Sequence, residues 1–222
     1  MSQAKPITWS FSGLKDFAGC PKRYHHTKVL KEYPQEKTTA IIYGEEVHKA
    51  CELYVTENKA FPPAYQRFEP IIAHLKNAPG NKLAEHKMGL TADKEATGFL
   101  AKNVWARGIA DLVIVNGNTA YVIDYKTGSD KYADTAQLKL MALMIFAHFP
   151  EVETVKASLI FLVKNNIIKE KYKREDSERL WTHFEEDLYR LEQAFLTNVW
   201  NANPTPLCGW CPVKVCEHNR KR

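Results

Sequence analysis

The chain has 222 residues, 45% of them hydrophobic, enough to bury a sizeable core in one domain with appendages. A net charge of +5 permits a polyanionic partner without demanding one. No apolar run approaches the roughly 18 residues that span a bilayer and no signal-peptide core opens the chain, so a cytoplasmic protein without membrane contact is expected.

Ser12 to Tyr24 reads as a helix, with Ser12 as N-cap and Leu14 and Phe17 on one face. Gly19-Cys20-Pro21 interrupts it, and Pro21 suits the first position of a new turn. Cys20 alone reads as a small buried residue. His25, His26, Lys28 and Lys31 read as a solvated basic face. The next helix spans Thr39 to Glu57, with Ile42, Val47, Cys51, Tyr54 and Val55 as its apolar stripe. His48 lies beside that stripe, where a lone histidine is ordinarily a satisfied core residue. Gly44, one turn earlier, costs a helix about 1 kcal/mol relative to Ala, so it either tightens helix packing or admits another backbone. Pro62-Pro63 opens a third helix reaching Asn77, and Lys82 to Thr91 alternates loosely as a strand containing Glu85.

The chemistry concentrates next. Asp111-Leu112-Val113-Ile114-Val115 has the composition of a buried strand, Asn116-Gly117-Asn118 that of a tight turn, and Ala120-Tyr121-Val122-Ile123 that of the returning strand. Asp124 and Lys126 are two apart, so they share one face. The hairpin brings Asp111 towards them, making an acidic site with an ammonium group beside it. Carboxylates are natural ligands of Mg²⁺ or Mn²⁺, and such a site suits metal-assisted phosphodiester hydrolysis, with Lys126 stabilising transition-state charge. A surface ion pair of little energetic weight is the alternative, and spacing alone leaves both open.

Asp134 to Phe149 is a strongly apolar helix marked by Leu138, Met141, Ala142, Ile145 and Phe149. Gln137 stands at capping-box spacing from Asp134. Ala157 to Val163 and Ile167 to Tyr172 read as strands paired across Asn165-Asn166. Lys164, Lys169, Lys171, Lys173 and Arg174 there form either a solvated strand face or a lining for a DNA path. Ser177 to Asn198 is an amphipathic helix through Leu180, Phe184, Leu188, Leu191 and Phe195. Cys208-Gly209-Trp210-Cys211, followed by Cys216, has metal-ligand spacing for zinc or iron–sulfur, and His218 offers zinc a fourth ligand. Asn219-Arg220-Lys221-Arg222 reads as a flexible basic end.

Together, Gly44-Glu45-Glu46-Val47-His48, Asp111 and Asp124-Tyr125-Lys126 resemble the motifs of the PD-(D/E)XK nucleases, in particular the RecB-like branch, which includes the iron–sulfur nucleases of CRISPR adaptation and of AddB-type recombination. Cys20-Pro21-x-x-Tyr24 resembles that branch's N-terminal signature. The resemblance implies an α/β fold, with a mixed central sheet flanked by helices in a restriction-endonuclease-like core. It also implies a helical N-terminal segment tied to the cysteine-rich tail. We expect a single nuclease domain over 1–222, helical over 1–80, with the catalytic sheet over 81–175 and the closing helix and metal-binding tail over 176–222.

The activity implied is a metal-dependent DNA nuclease, an exonuclease rather than a site-specific endonuclease; a non-catalytic DNA-binding or assembly module is the rival reading. The implied metal ligands are His48, Asp111, Asp124 and the Tyr125 carbonyl, with Mg²⁺ or Mn²⁺ bound and Lys126 positioning the attacking water. Glu85 matches a glutamate that recurs near this point of the family. Gln137 matches the first half of a Gln-x-x-x-Tyr motif that contacts nucleic acid, whereas Met141 occupies its tyrosine position. Cys20, Cys208, Cys211 and Cys216 would hold a [4Fe–4S] cluster, with structural Zn²⁺ as the alternative. With no helicase motif present, unwinding would fall to a partner helicase or another recombination or CRISPR-adaptation protein.

Overall fold

A computed structural model describes residues 7–34, 36–131 and 133–220, so Lys221 and Arg222 of the basic end lie outside the described residues. The chain forms two compact units, one of residues 37–181 and one combining residues 1–36 with 182–222.

The first unit is built on a mixed sheet. Its strands are β2 (Asn81–Leu90), β3 (Ala96–Thr97), β4 (Ala106–Asn116), β5 (Thr119–Lys126), β6 (Thr154–Phe161) and β7 (Asn166–Lys173), in the order β3-β2-β4-β5-β6-β7. A short extended segment, β1 (Trp9–Ser10), precedes them in the chain. β4 and β5 make the expected hairpin, with Val113 opposite Val122 and Gly117 at φ +58° in the turn. β5 and β6 are parallel, and parallel neighbours need a long crossover, which the helix α5 (Ala136–His148) supplies. This is the mixed, helix-flanked sheet of a restriction-endonuclease-like fold.

Helix α3 has the expected bounds, Thr39–Glu57, because the Thr38 hydroxyl caps it by accepting from the Ile41 N–H. Ile42 does not join its apolar stripe and is 43% exposed. The helix expected to follow is two pieces, a 3₁₀ turn (Pro63–Phe68) and α4 (Glu69–Asn77). Pro70 explains the restart, since proline lacks an N–H and fits only the first turn of a helix. Val47, Cys51, Phe68 and Ile72 from this layer pack on Leu112, Ile114, Ile123, Tyr125 and Ile160 of the sheet. α5 is no one-sided helix, for every residue from Leu140 to Phe146 is buried.

The strand alternation reverses at one point. Gly108 and His86 face α5, where a Cβ on Gly108 would lie 2.5 Å from Met144 Sδ and 2.7 Å from Met141 Cε, and where His86 meets Phe149 at 5.7 Å. Leu112 and Ala84, an even number of residues along the same strands, pack instead in the α3–α4 core. The switch lies between them, at Glu85 and Asp111. The β2–β4 pairing passes from Ala84–Leu112 to His86–Ala110 without those two residues, and Glu85 adopts φ +48°. Non-glycine residues held there inside a strand are costly and concentrate at functional sites. Because methionine side chains fill the space over Gly108, Gly108→Val is expected to destabilise the protein by about 1–3 kcal/mol in urea unfolding. An unchanged midpoint would show that Met141 and Met144 can retreat.

In the second unit α1 (Phe11–Gly19) is capped by Ser10 rather than Ser12, for Ser10 has extended backbone and its Oγ accepts from the Gly13 N–H at 3.2 Å. Pro21 opens α2 (Pro21–Tyr24) as expected, and a π-helical turn (His25–Val29) follows. The histidines there are not a solvated face. His25 stacks on Trp200 at 4.5 Å, and His26 Nδ1 lies 2.6 Å from Glu32 Oε2. Helix α6 (Ser177–Thr197) crosses the unit boundary along the chain, and from Thr182 onwards it buries Phe184, Leu188 and Leu191, with the Phe184 ring 6.1 Å from that of Trp9, while Leu14 and Phe17 of α1 are buried too. Among the described residues no helix is long and apolar enough to cross a membrane.

Candidate active site

The reversal at Glu85 and Asp111 creates the site. By strand register Asp111 is flanked by Glu85 on β2 and Asp124 on β5, and the β4–β5 pairing ends one residue earlier, at Leu112–Ile123. The strands fork there, and the Asp111 carboxylate replaces the lost ladder bond by accepting from the Tyr125 N–H at 2.6 Å. On the α3 side, His48 Nδ1 lies 3.3 Å from Asp111 Oδ1. His48, Glu85 and Asp111 each offer one ligand atom, all within 4.8 Å of one another. They line an open cleft of about 520 Å³. One imidazole nitrogen and two carboxylate oxygens form a donor set that fits Mn²⁺ or Mg²⁺.

Gly44 also lines this cleft, and a Cβ there would stand 3.2 Å from Thr127 Oγ1.

Asp124, Lys126 and Gln137 gather at the α5 side of the fork. Lys126 Nζ lies 2.6 Å from Asp124 Oδ2 and donates to Gln137 Oε1 at 3.0 Å. Gln137 Nε2 donates to Asp124 Oδ1 at 2.6 Å. Asp124 Oδ2 is buried and meets no partner but that ammonium among the described residues. Gln137 therefore does not close a capping box. The Asp134 carboxylate instead accepts from Ala136 N–H at 3.0 Å, and the Gln137 amide is left to bridge the acid and the base. Met141, one turn later, is 3% exposed in the core. The Tyr125 ring is buried 6.0 Å from His48.

Like charges at the fork shift the titrations. Burial, then the neighbouring Asp111 charge, pushes Asp124 up to about 6 against the opposing pull of Lys126. Glu85 is raised by burial and by Asp111. Burial alone would lower His48, but its contact with Asp111 outweighs burial and the net shift is upward. Between the ordinary carboxyl value of 3.8 and about 6, folded Asp124 keeps a proton that the unfolded chain has lost. The native state then binds more protons, so this group's contribution to stability falls as pH rises. In EDTA, the stability of the wild type relative to Asp124→Asn is expected to drop by at most about 3 kcal/mol between pH of about 4 and about 6. A flat difference in urea unfolding would mean that Asp124 titrates normally.

In the second unit Cys20, Cys208, Cys211 and Cys216 line one small cavity together with His218. Two of the sulfurs receive backbone donors: Asn203 N–H reaches Cys20 Sγ at 3.5 Å and Thr205 N–H reaches Cys208 Sγ at 3.3 Å. Lys22, one residue past Pro21, pairs with Glu217 of the tail. Cys51 is apart from these, buried in the α3 core.

Glu85 is the residue that sequence reasoning left outside the ligand set. Its strand context carries no signal of the local reversal, and only the family resemblance pointed to it.

The profile of the PD-(D/E)XK nuclease superfamily matches residues 8–216. A comparison with curated proteins returns no match. Among solved structures, a protein from Eubacterium rectale described as a candidate exonuclease is similar at 17% identity and a TM-score of 0.57, over 97% of this chain and 89% of that one. The protein SSO0001 is similar at 17% identity and a TM-score of 0.53, over 99% and 90% of the two chains. At such identities the likeness is one of fold.

Proposed function

Because this chain belongs to the PD-(D/E)XK nuclease superfamily, we propose that it is a divalent-metal-dependent deoxyribonuclease of the RecB-like kind. In this reading it is an exonuclease that takes single-stranded DNA or DNA ends. The observation that carries the reading is the fork, where His48, Glu85 and Asp111 meet on one side and Asp124, Lys126 and Gln137 on the other. The family resemblance and the E. rectale neighbour's description support exonuclease over endonuclease.

His48, Asp111 and Asp124 are the ligands proposed for Mg²⁺ or Mn²⁺, with the Tyr125 carbonyl and Glu85 completing the set. When bound, the metal supplies charge neutralisation at the phosphoryl oxygens and a stronger water nucleophile. Lys126 holds the attacking water and stabilises charge that develops on the phosphoryl group, an electrostatic role that needs a fixed cation. Gln137 fixes it: its carboxamide oxygen restrains the ammonium while its nitrogen holds Asp124. Gln137 thus acts as a positioning residue. The Asp111 carboxylate holds the fork open by its bond to the Tyr125 N–H.

The cysteines of the second unit are proposed to hold a structural [4Fe–4S] cluster through Cys20, Cys208, Cys211 and Cys216. Tetrahedral zinc with Zn–S bonds of about 2.3 Å places its sulfurs about 3.8 Å apart. Among the described residues no three cysteine sulfurs lie within 4.8 Å of one another, so the preference for the cluster rests on the family resemblance of Cys20. The N–H donors to Cys20 and Cys208 suit thiolate sulfur.

The test is digestion of end-labelled single-stranded and duplex DNA with Mn²⁺, Mg²⁺ or EDTA, using anaerobically purified protein. Metal-dependent loss of nucleotides from an end supports the reading. Protein that binds DNA and its metals but never cuts would overturn it in favour of a non-catalytic module.

A further inference from the structure

The outer half of the β5–β6–β7 face carries charge that the fork does not use. Strand register places Tyr121 beside Lys156, and Lys156 beside Lys171, in one row across three strands. The next pair along puts Lys169 opposite Ser158, and the pair before it puts Lys173 opposite Thr154. Residues two apart share a face, so these side chains stand on the same side of the sheet as Ile123 and Ile160. That side is covered by the α3–α4 layer at Ile123 and Ile160, but at this end Lys156, Lys169, Lys171 and Lys173 are all exposed and Tyr121 is 37% exposed.

Two features of this face need a cause. Lys156 and Lys171 are directly opposite one another, an arrangement of like charges that weakens a sheet. No carboxylate relieves it: among the described residues Lys156, Lys169 and Lys171 form no ion pair, and only Lys173 has one, with Glu175 at 2.8 Å. Glu170 is no help, because it pairs with buried Ala157 and so belongs to the other face. Lysines on an edge strand ordinarily guard it against pairing with another chain, and β7 is such an edge. That explains Lys169, Lys171 and Lys173. It does not explain Lys156, which lies on interior strand β6 and stands over the Tyr121 ring at 5.3 Å.

We propose that this face is a second nucleic-acid contact, binding the phosphate backbone of the DNA through Lys156, Lys169 and Lys171, with the Tyr121 ring supporting the Lys156 ammonium from below. The inference rests on the nuclease reading for the identity of the polyanion. Lysines two apart on a strand recur about every 6.7 Å, close to the separation of successive phosphates in an extended single strand. Tyr121 precedes Asp124 by three residues on β5, so the row lies about 10 Å from Asp124 along the strand and on the opposite face of the sheet from its carboxylate. The surface therefore engages nucleotides other than those being cut, and its contribution grows with substrate length.

The experiment compares the wild type with Lys156→Gln/Lys171→Gln for binding to fluorescent oligonucleotides in EDTA, one of about 6 and one of about 30 nucleotides, over a range of salt. Each phosphate contact to a single strand contributes about 0.7 to the slope of log affinity against log salt, so loss of two contacts should lower the slope for the long strand by about 1.4. At moderate salt its affinity should fall about tenfold, and the advantage of the long strand over the short one should shrink. Lys59→Gln/Lys102→Gln removes the same charge elsewhere and controls for the change in net charge. A slope lowered equally in both double variants would overturn the proposal, as would an unchanged slope. An unchanged slope with new self-association on size exclusion would assign the lysines to edge protection alone. Binding is read without cleavage, so a wild type that binds in this way but never cuts sinks the nuclease reading while leaving the contact standing.

Discussion

Lys126→Ala is expected to lower metal-dependent cleavage by about 10²- to 10³-fold, the usual cost of removing one preorganised charge-stabilising donor. The loss should fall on the catalytic rate and should not be rescued by more metal. Asp111→Asn should respond differently. The asparagine carbonyl can still accept from the Tyr125 N–H, so the fork is kept while one ligand charge is lost. Its activity should fall as steeply at low Mn²⁺ and recover in part at high Mn²⁺. Gln137→Ala touches the chemistry only through Asp124 and Lys126, so a smaller loss of about 10- to 100-fold is expected, as for other groups that orient ligands.

Lys126→Ala also tests the electrostatics. It leaves buried Asp124 without its cation, which pushes that carboxyl above its present value of about 6. Urea unfolding in EDTA should therefore show a larger destabilisation at neutral pH than near pH of about 5. Cleavage retained within a few-fold would remove Lys126 from the chemistry and return Asp124–Lys126 to the rank of a structural ion pair.

The second large effect belongs to the cysteines. Cys211→Ser is expected to abolish iron content and its visible absorbance, and to loosen the unit formed by the two chain ends. A group bound by Cys20 and Cys208 closes a loop of about 190 residues, for which chain entropy allows up to about 5 kcal/mol. Trp9, Leu14, Phe17 and Leu191 are buried, and the Trp9–Phe184 and Phe17–Tyr24 ring contacts do not involve the cysteines, so the unit should lose its tail before it loses α1. Limited proteolysis reads this as new cleavage after residue 198. Cys51→Ala is the control. It lies in the α3 core of the other unit and should leave iron unchanged. Zinc in stoichiometric amounts with no iron after anaerobic purification would replace the cluster by the zinc alternative.

Local periodicity was enough for several of the elements. Helix α3, the β4–β5 hairpin and the β6–β7 pair stand close to where spacing and turn residues put them. The Asp124–Lys126 contact follows from the period of two alone, because neighbours two apart on a strand share a face. The Cys-x-x-Cys spacing likewise marked its cavity, although Cys20 joins it from the other end of the chain.

What periodicity could not carry is any feature whose cause lies on another element. Gln137 had the spacing of a local cap, yet its partners are Asp124 and Lys126 on β5, more favourable because they are charged and shielded from water. Ser12 looked like the cap of α1, but the backbone turns helical at Phe11 and only Ser10 has the extended geometry to cap it. Met141 departs from the family's tyrosine where Gly108 leaves space that methionine fills. Glu85 shows the limit most clearly. β2 alternates only loosely, and nothing in its sequence announces φ +48° or the exchange of faces that turns Glu85 and Asp111 towards His48. Sequence alone therefore determined α3, the β4–β5 hairpin, the β6–β7 pair and the acid–lysine pair, whose cause is local backbone period. The tertiary structure decided the fork, because a strand is held in that conformation only by what packs on both of its faces.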